Sequence, residues 1–266
     1  MPKLAITGKG GVGKTTLAGL LSRLYAADGH PVLAIDADPD ANLASALGFP
    51  EELATQIAPI ADMKDLIEER TGARPGSMGG VFKLNPHVED IPDRFCARHN
   101  GVGLLQMGTV KKGGGGCVCP ENVLLKQLVR HLLVQRSEVV ILDMEAGIEH
   151  LGRATAQSVD AMIVVVEPGR RSIQTAEAVR ELAADIGLFR VFAVGSKVQS
   201  NLERDFIREH VGGLPLLGFI SYSPLIMEAD LRGVSAYDLD PRAVAEAREI
   251  RKNMEELLAV EEPARL

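Results

Sequence analysis

The chain has 266 residues and a net charge of −7, and with no tryptophan and few other aromatics it is not expected to bind nucleic acid. Hydrophobic residues make up 46% and charged residues 24%, which excludes wholesale disorder and leaves material for one large core. Its apolar runs are far shorter than the roughly 20 residues of a membrane-spanning helix, the tail after Asn253 has four glutamates against Arg265 so that no membrane association is expected, and three cysteines are too few and too odd in number for a disulfide framework.

Only seven residues precede Gly8, which leaves no room for a signal-peptide core and predicts a cytoplasmic protein. Leu4 to Thr7 is a short apolar strand. Lys14 to Ala27 carries Leu17, Leu20, Leu21 and Leu24 at helical spacing, and Gly29 stops it. Val32 to Ile35 reads as a buried strand ending at Asp36. Further strands are expected at Val102–Leu105, Val139–Leu142, Met162–Val166, Val191–Val194 and Leu214–Ile220. Helical patterns cover Glu121–Val134, Ile173–Ile186, Leu202–His210 and Ala243–Leu258. Strands apolar on both faces, alternating with helices, predict an α/β fold with a mostly parallel central sheet flanked by helices on both faces. No linker or repeat divides the chain, so 1–266 is expected to form a single domain. The stretch 71–101, with several Gly and Pro, reads as an irregular insertion.

The strongest motif is Gly8-Lys9-Gly10-Gly11-Val12-Gly13-Lys14-Thr15-Thr16. It fits both a phosphate-binding loop, G-x-x-x-x-G-K-[ST], and a dinucleotide fingerprint, G-x-G-x-x-G, with Asp36 at the distance of a ribose-binding acid. Glycine spacing does not separate the two readings; Lys14-Thr15 does. A phosphate loop needs a cation for the β- and γ-phosphates and a hydroxyl for Mg²⁺ at the start of the helix, and a dinucleotide fold uses neither. It also needs a metal-holding acid at the end of a later strand, and Val139 to Asp143 supplies one. Backbone N–H groups of Gly10, Gly11, Val12, Gly13, Lys14, Thr15 and Thr16 would cradle the phosphates beside the positive helix end.

Lys9 stands early in the loop, ahead of the phosphate lysine. This form resembles the deviant Walker A motif of the MinD-like P-loop NTPases. The resemblance implies a nucleotide-sandwich homodimer in which Lys9 reaches the partner's phosphates. It also implies that Asp36 to Leu43 is switch I, with Asp38 orienting the attacking water and Asp36 supporting Mg²⁺ through water. Asp143 to Leu151 looks like Walker B running into switch II, with Asp143 holding a Mg²⁺-bound water and Gly147 sensing the γ-phosphate. Catalytic roles thus fall to Lys9, Lys14 and Asp38, and Mg²⁺ to Thr15, Asp36 and Asp143. Base contacts by analogy are Ser196, Lys197 and Pro224, although Gly195-Ser196-Lys197 and Ser221-Tyr222-Ser223-Pro224 depart from the family's usual residues. ATP and ADP as ligands follow from the family.

Gly113 to Gly116 lead into Cys117-Val118-Cys119-Pro120. Two thiolates one residue apart can grip a soft metal if the loop 113–120 curls, and the glycines permit that. Two ligands leave a four-coordinate site half complete, and a twofold dimer completes it. With this pair the chain resembles the CooC-type nickel-insertion accessory ATPases of carbon monoxide dehydrogenase. That resemblance implies Ni²⁺, or Zn²⁺ in the same site, held by Cys117 and Cys119 of both protomers and delivered to the dehydrogenase on ATP hydrolysis. The alternative is a partitioning-type or iron–sulfur MinD-like ATPase with a different partner.

Overall fold

The computed structural model describes residues 1–75, 81–108, 119–147 and 151–261. Eight strands form one sheet: β1 (Lys3–Thr7), β2 (Val32–Ala37), β3 (Ala97–His99), β4 (Val102–Gln106), β5 (Val139–Met144), β6 (Ala161–Val166), β7 (Val191–Val198) and β8 (Leu216–Ser221). Their order is β3-β4-β2-β5-β1-β6-β7-β8. Every pairing is parallel except β3 with β4, an antiparallel edge. The strands β1, β2, β5 and β6 are buried along their whole length, as an apolar run covered on both sides must be.

Helices follow in chain order: α1 (Lys14–Ala27), α2 (Leu43–Leu47), α3 (Glu51–Ala54), α4 (Lys64–Thr71), α5 (Ile91–Phe95), α6 (Pro120–Val134), α7 (Arg153–Ala156), α8 (Arg170–Asp185), α9 (Asn201–His210), α10 (Pro224–Arg232), α11 (Ala236–Leu239) and α12 (Pro241–Glu261). Two separate hydrophobic layers result. One packs Leu17, Leu20, Leu21 and Leu24 of α1 with Ala247, Ile250 and Met254 of α12 against Leu4, Ile6 and Ile141. The other packs Leu124, Leu128 and Leu132 of α6 with Val179 of α8 against Leu33, Ile35, Val140 and Val164. Each such buried Val, Leu, Ile or Met side chain contributes about 1.5–3 kcal/mol relative to exposure.

The stretch read as an irregular insertion is not all irregular. Val88 and Ile91 are buried in the core, α5 begins at Ile91, and Ala97–His99 adds the edge strand. Helix α1 has the bounds its periodicity indicates. β2 and β5 each run further than expected, which carries Asp36 and Asp143 inside the strands rather than just past them.

Candidate nucleotide site

The loop between β1 and α1 lies at the carboxyl end of the central strand, where an open α/β sheet binds its ligand. Three of its glycines have positive φ: Gly8 at 146°, Gly11 at 77° and Gly13 at 99°. Gly13 caps α1 in the left-handed region with no side-chain cap, so the first N–H groups of the helix face the cleft. At Gly8 a Cβ would lie 2.4 Å from the Val165 carbonyl oxygen, so the loop can turn away from the sheet only without a side chain there. Val12 points inward and is fully buried, leaving its backbone for the cradle.

A cavity of about 480 Å³ opens over this loop, lined by Gly10, Lys14, Thr15, Thr16, Asp38 and Lys197 among others. Lys14 is 6% exposed, and its Nζ lies 3.4 Å from Asp38 Oδ2. The two principal catalytic candidates are therefore paired with each other. Lys197, which has φ 57°, donates its ammonium to the Gly11 carbonyl. Lys9 lies outside the cavity lining and pairs at 3.4 Å with Glu167, with both side chains substantially exposed.

Beneath the loop, Asp36 and Asp143 are direct register partners on adjacent strands β2 and β5. Burial pushes the Asp36 carboxyl up to about 6. Its Oδ2 accepts the Leu43 N–H at 2.9 Å and its Oδ1 the Asp38 N–H at 3.3 Å, so it also organises the turn between β2 and α2. Burial likewise pushes Asp143 up to about 7; Thr15 lowers it and the neighbouring Asp36 raises it. Asp143 is 1% exposed, and both its carboxylate oxygens lack a hydrogen-bond partner, so Thr15 draws on it without closing a bond. A buried carboxylate with two unmet acceptors beside a threonine hydroxyl is a donor set for a hard, water-carrying cation, so Thr15 and Asp143 fit Mg²⁺.

Thr7, at the end of β1, is fully buried and holds the segment that follows β5. Its hydroxyl donates to the Glu145 carbonyl at 2.7 Å and accepts from the Gly147 N–H at 3.3 Å. Residues 148–150 lie outside the described part of the chain. Pro224 is the first residue of α10 and is not among the cavity-lining residues; Ile226 and Met227 of the same helix are. Ser196 lines the cleft next to Gly13.

Cys117 and the glycine run before it lie outside the described residues. Cys119 is half-buried and caps α6, whose first residue is Pro120. Among the described residues no group of three or more His, Cys, Asp or Glu side chains is placed to hold a metal. No helix among them is long and apolar enough to cross a membrane.

Sequence reasoning missed Thr7, Glu167, Ile226 and Met227. Thr7 and Glu167 act through strand ends brought together from 138 or more positions apart. A local motif contains no trace of that proximity.

Comparison with known proteins bears on the family and the fold. Residues 3–236 match the family model of the CobQ/CobB/MinD/ParA nucleotide-binding domain. The chain is 49% identical over 90% of its length, and 90% of the relative's, to the carbon monoxide dehydrogenase accessory protein CooC of Rhodospirillum rubrum. It is 45% identical to an uncharacterised ATP-binding protein of Methanocaldococcus jannaschii, over 93% of this chain and 95% of that one. Among solved structures, the MinC:MinD cell division protein complex of Aquifex aeolicus superposes with a TM-score of 0.68 at 19% identity, covering 97% and 96% of the two chains. At that identity the likeness is one of fold.

Proposed function

The chain belongs to the CobQ/CobB/MinD/ParA family of P-loop ATPases, and from that premise we propose that it is an ATP-dependent metallochaperone that delivers nickel to apo carbon monoxide dehydrogenase. The observation that carries this reading is the near end-to-end 49% identity to a carbon monoxide dehydrogenase accessory protein.

In this reading the Gly10–Thr16 backbone and Lys14 bind the β- and γ-phosphates. Thr15 and Asp143, with Asp36 behind them, would hold Mg²⁺. The cation supplies charge neutralisation on the phosphates during transfer. Arrival of the γ-phosphate draws Lys14 away from Asp38, and the released carboxylate orients the attacking water. Lys9 exchanges Glu167 for the phosphates of a second copy, which closes a homodimer. Closure brings Cys117 and Cys119 of both protomers onto one Ni²⁺, and Zn²⁺ suits the same thiolates. After hydrolysis the interface opens and the shared site loosens, which releases a metal that four thiolates would otherwise hold for long times.

Gel filtration with metal analysis tests this, run with ADP and with a non-hydrolysable ATP analogue, each with and without nickel. The expected result is a dimer carrying one nickel, favoured by the analogue and absent in Cys117→Ala/Cys119→Ala. One nickel per dimer in that double variant would falsify the metal assignment. A brown protein with visible absorbance would point to an iron–sulfur role instead.

A further inference from the structure

The register of β1 with β5 runs from Lys3 and Val140 to Ile6 and Asp143. One residue further, the Thr7 side chain takes over the connection between the two chain segments. Its hydroxyl has one proton to give, and the Glu145 carbonyl at 2.7 Å takes it in preference to the Gly147 carbonyl at 3.3 Å. The same oxygen then accepts the Gly147 N–H at 3.3 Å.

The two ends of this connection differ in freedom. Thr7 is fully buried and pairs with Val164 of β6. The next residue, Gly8, sits so close to the Val165 carbonyl that no side chain fits. Gly147 is half-buried and lies past the end of β5. Thr7 is therefore the fixed post, and Gly147 the group able to leave it. The Gly147 bond is also the weaker of the two, neutral and longer than the usual N–H···O distance of about 2.9–3.0 Å.

Gly147 brings a backbone donor to the base of the phosphate loop, because Thr7 directly precedes Gly8. Asp143, one of the two residues that fit Mg²⁺, lies on the same segment, four positions before Gly147. In phosphoryl-transfer sites the cation bridges the β- and γ-phosphates, so the γ-phosphate enters on this side of the loop. Hydrogen bonds to an ionised acceptor are roughly twice as strong as neutral ones, so a phosphate oxygen wins the Gly147 N–H from a hydroxyl.

We propose that Thr7 is a positioning residue that holds the Gly147 N–H in the empty and ADP-bound protein and thereby sets how strongly the chain prefers ATP to ADP. The proposal rests on the ATPase assignment for its ligands. ATP has to draw Gly147 off the Thr7 oxygen before the γ-phosphate gains that donor. ADP lacks the group and leaves the pair intact. The bond to Glu145 is made with either nucleotide, so it cancels when the two are compared. Thr7 thus moderates the ATP preference from a position that touches no nucleotide.

The test measures binding of ADP and of a non-hydrolysable ATP analogue to the full chain, each with Mg²⁺, with a melting curve for each variant. Thr7→Val, close in volume but without the hydroxyl, is expected to raise the analogue-to-ADP affinity ratio about fivefold. Thr7→Ala should raise it in the same direction and serves if Thr7→Val does not fold. Thr7→Ser keeps the hydroxyl and should hold the wild-type ratio even where its melting temperature falls. A purely structural role for Thr7 would weaken both nucleotides alike, so a ratio unchanged in the variants without a hydroxyl overturns the proposal. A lowered ratio overturns it too, because Thr7 would then be preparing the segment for the γ-phosphate. So does a Thr7→Ser ratio that rises with the others. Wild-type protein that binds neither nucleotide would instead overturn the ATPase assignment.

Discussion

Lys14 and Asp38 face one another across 3.4 Å, one 6% exposed and the other 18%. In the proposed function the lysine binds phosphate and the acid positions water, so here the one holds the other. On that proposal the pair has to part for turnover. Asp38→Asn should lower kcat roughly 10²–10⁴-fold. ATP affinity should hold or tighten, because Lys14 is then free for the phosphates. Steady-state ATPase assays with a nucleotide titration check this, and an unchanged kcat removes Asp38 from the mechanism.

The paired carboxylates predict a pH dependence of the nucleotide-free protein. Asp36 and Asp143 are raised above the ordinary 3.8 to about 6 and about 7. A raised folded-state value means stability fully present below about pH 4 and lost as pH climbs through 6 to 7. Acid unfolding from other carboxylates limits the lower end. Asp143→Asn should therefore stabilise the apo protein at pH 8, by roughly 1–4 kcal/mol, and flatten its melting temperature between pH 5 and 8. Mg²⁺ with nucleotide should stabilise the wild type at pH 8, and chelation should reverse that. An apo melting temperature that rises from pH 5 to 8 contradicts the burial cause.

The loop glycines should separate folding from binding. Gly8→Ala places a Cβ 2.4 Å from a backbone oxygen at φ 146°, so it should cost roughly 2–4 kcal/mol in a denaturant titration. At Gly10 an added Cβ meets no atom within 4 Å. Gly10→Ala should keep its unfolding midpoint yet weaken ATP binding, since the new methyl group enters the phosphate cradle. Equal stability of the two variants would undercut this reading.

Lys9 and Glu167 form a partly exposed pair, and such pairs contribute no more than about 1 kcal/mol. Lys9→Ala should leave the melting temperature nearly unchanged. It should still bind ATP as a monomer but fail to dimerise with the non-hydrolysable analogue. Light scattering that shows an analogue-induced dimer in Lys9→Ala would place the lysine outside the interface.

Much of the centre of the molecule was readable from sequence because its signals are local. The β1–loop–α1 unit has its apolar run, glycines and helical spacing within 27 residues, and α1 has the bounds that spacing indicates. The peripheral parts were not readable. β3 is three residues long, Ala97-Arg98-His99, with no alternation to betray it. α10 escaped notice because Met227 and Leu231 are exposed, so its apolar residues do not trace a core-facing stripe; it lines the cleft instead. Asp36 was recognised for its charge, but its grip on the Leu43 and Asp38 amides depends on how the chain turns after β2.

Thr7 serves Glu145 and Gly147 with a single oxygen, giving a proton to one and taking one from the other. The two attachments share one buried oxygen, so loss of either leaves the Thr7 hydroxyl with an unmet half inside the sheet. Loosening the segment after β5 therefore carries a cost at the root of the first strand, where a side chain and not the sheet ladder ties it down.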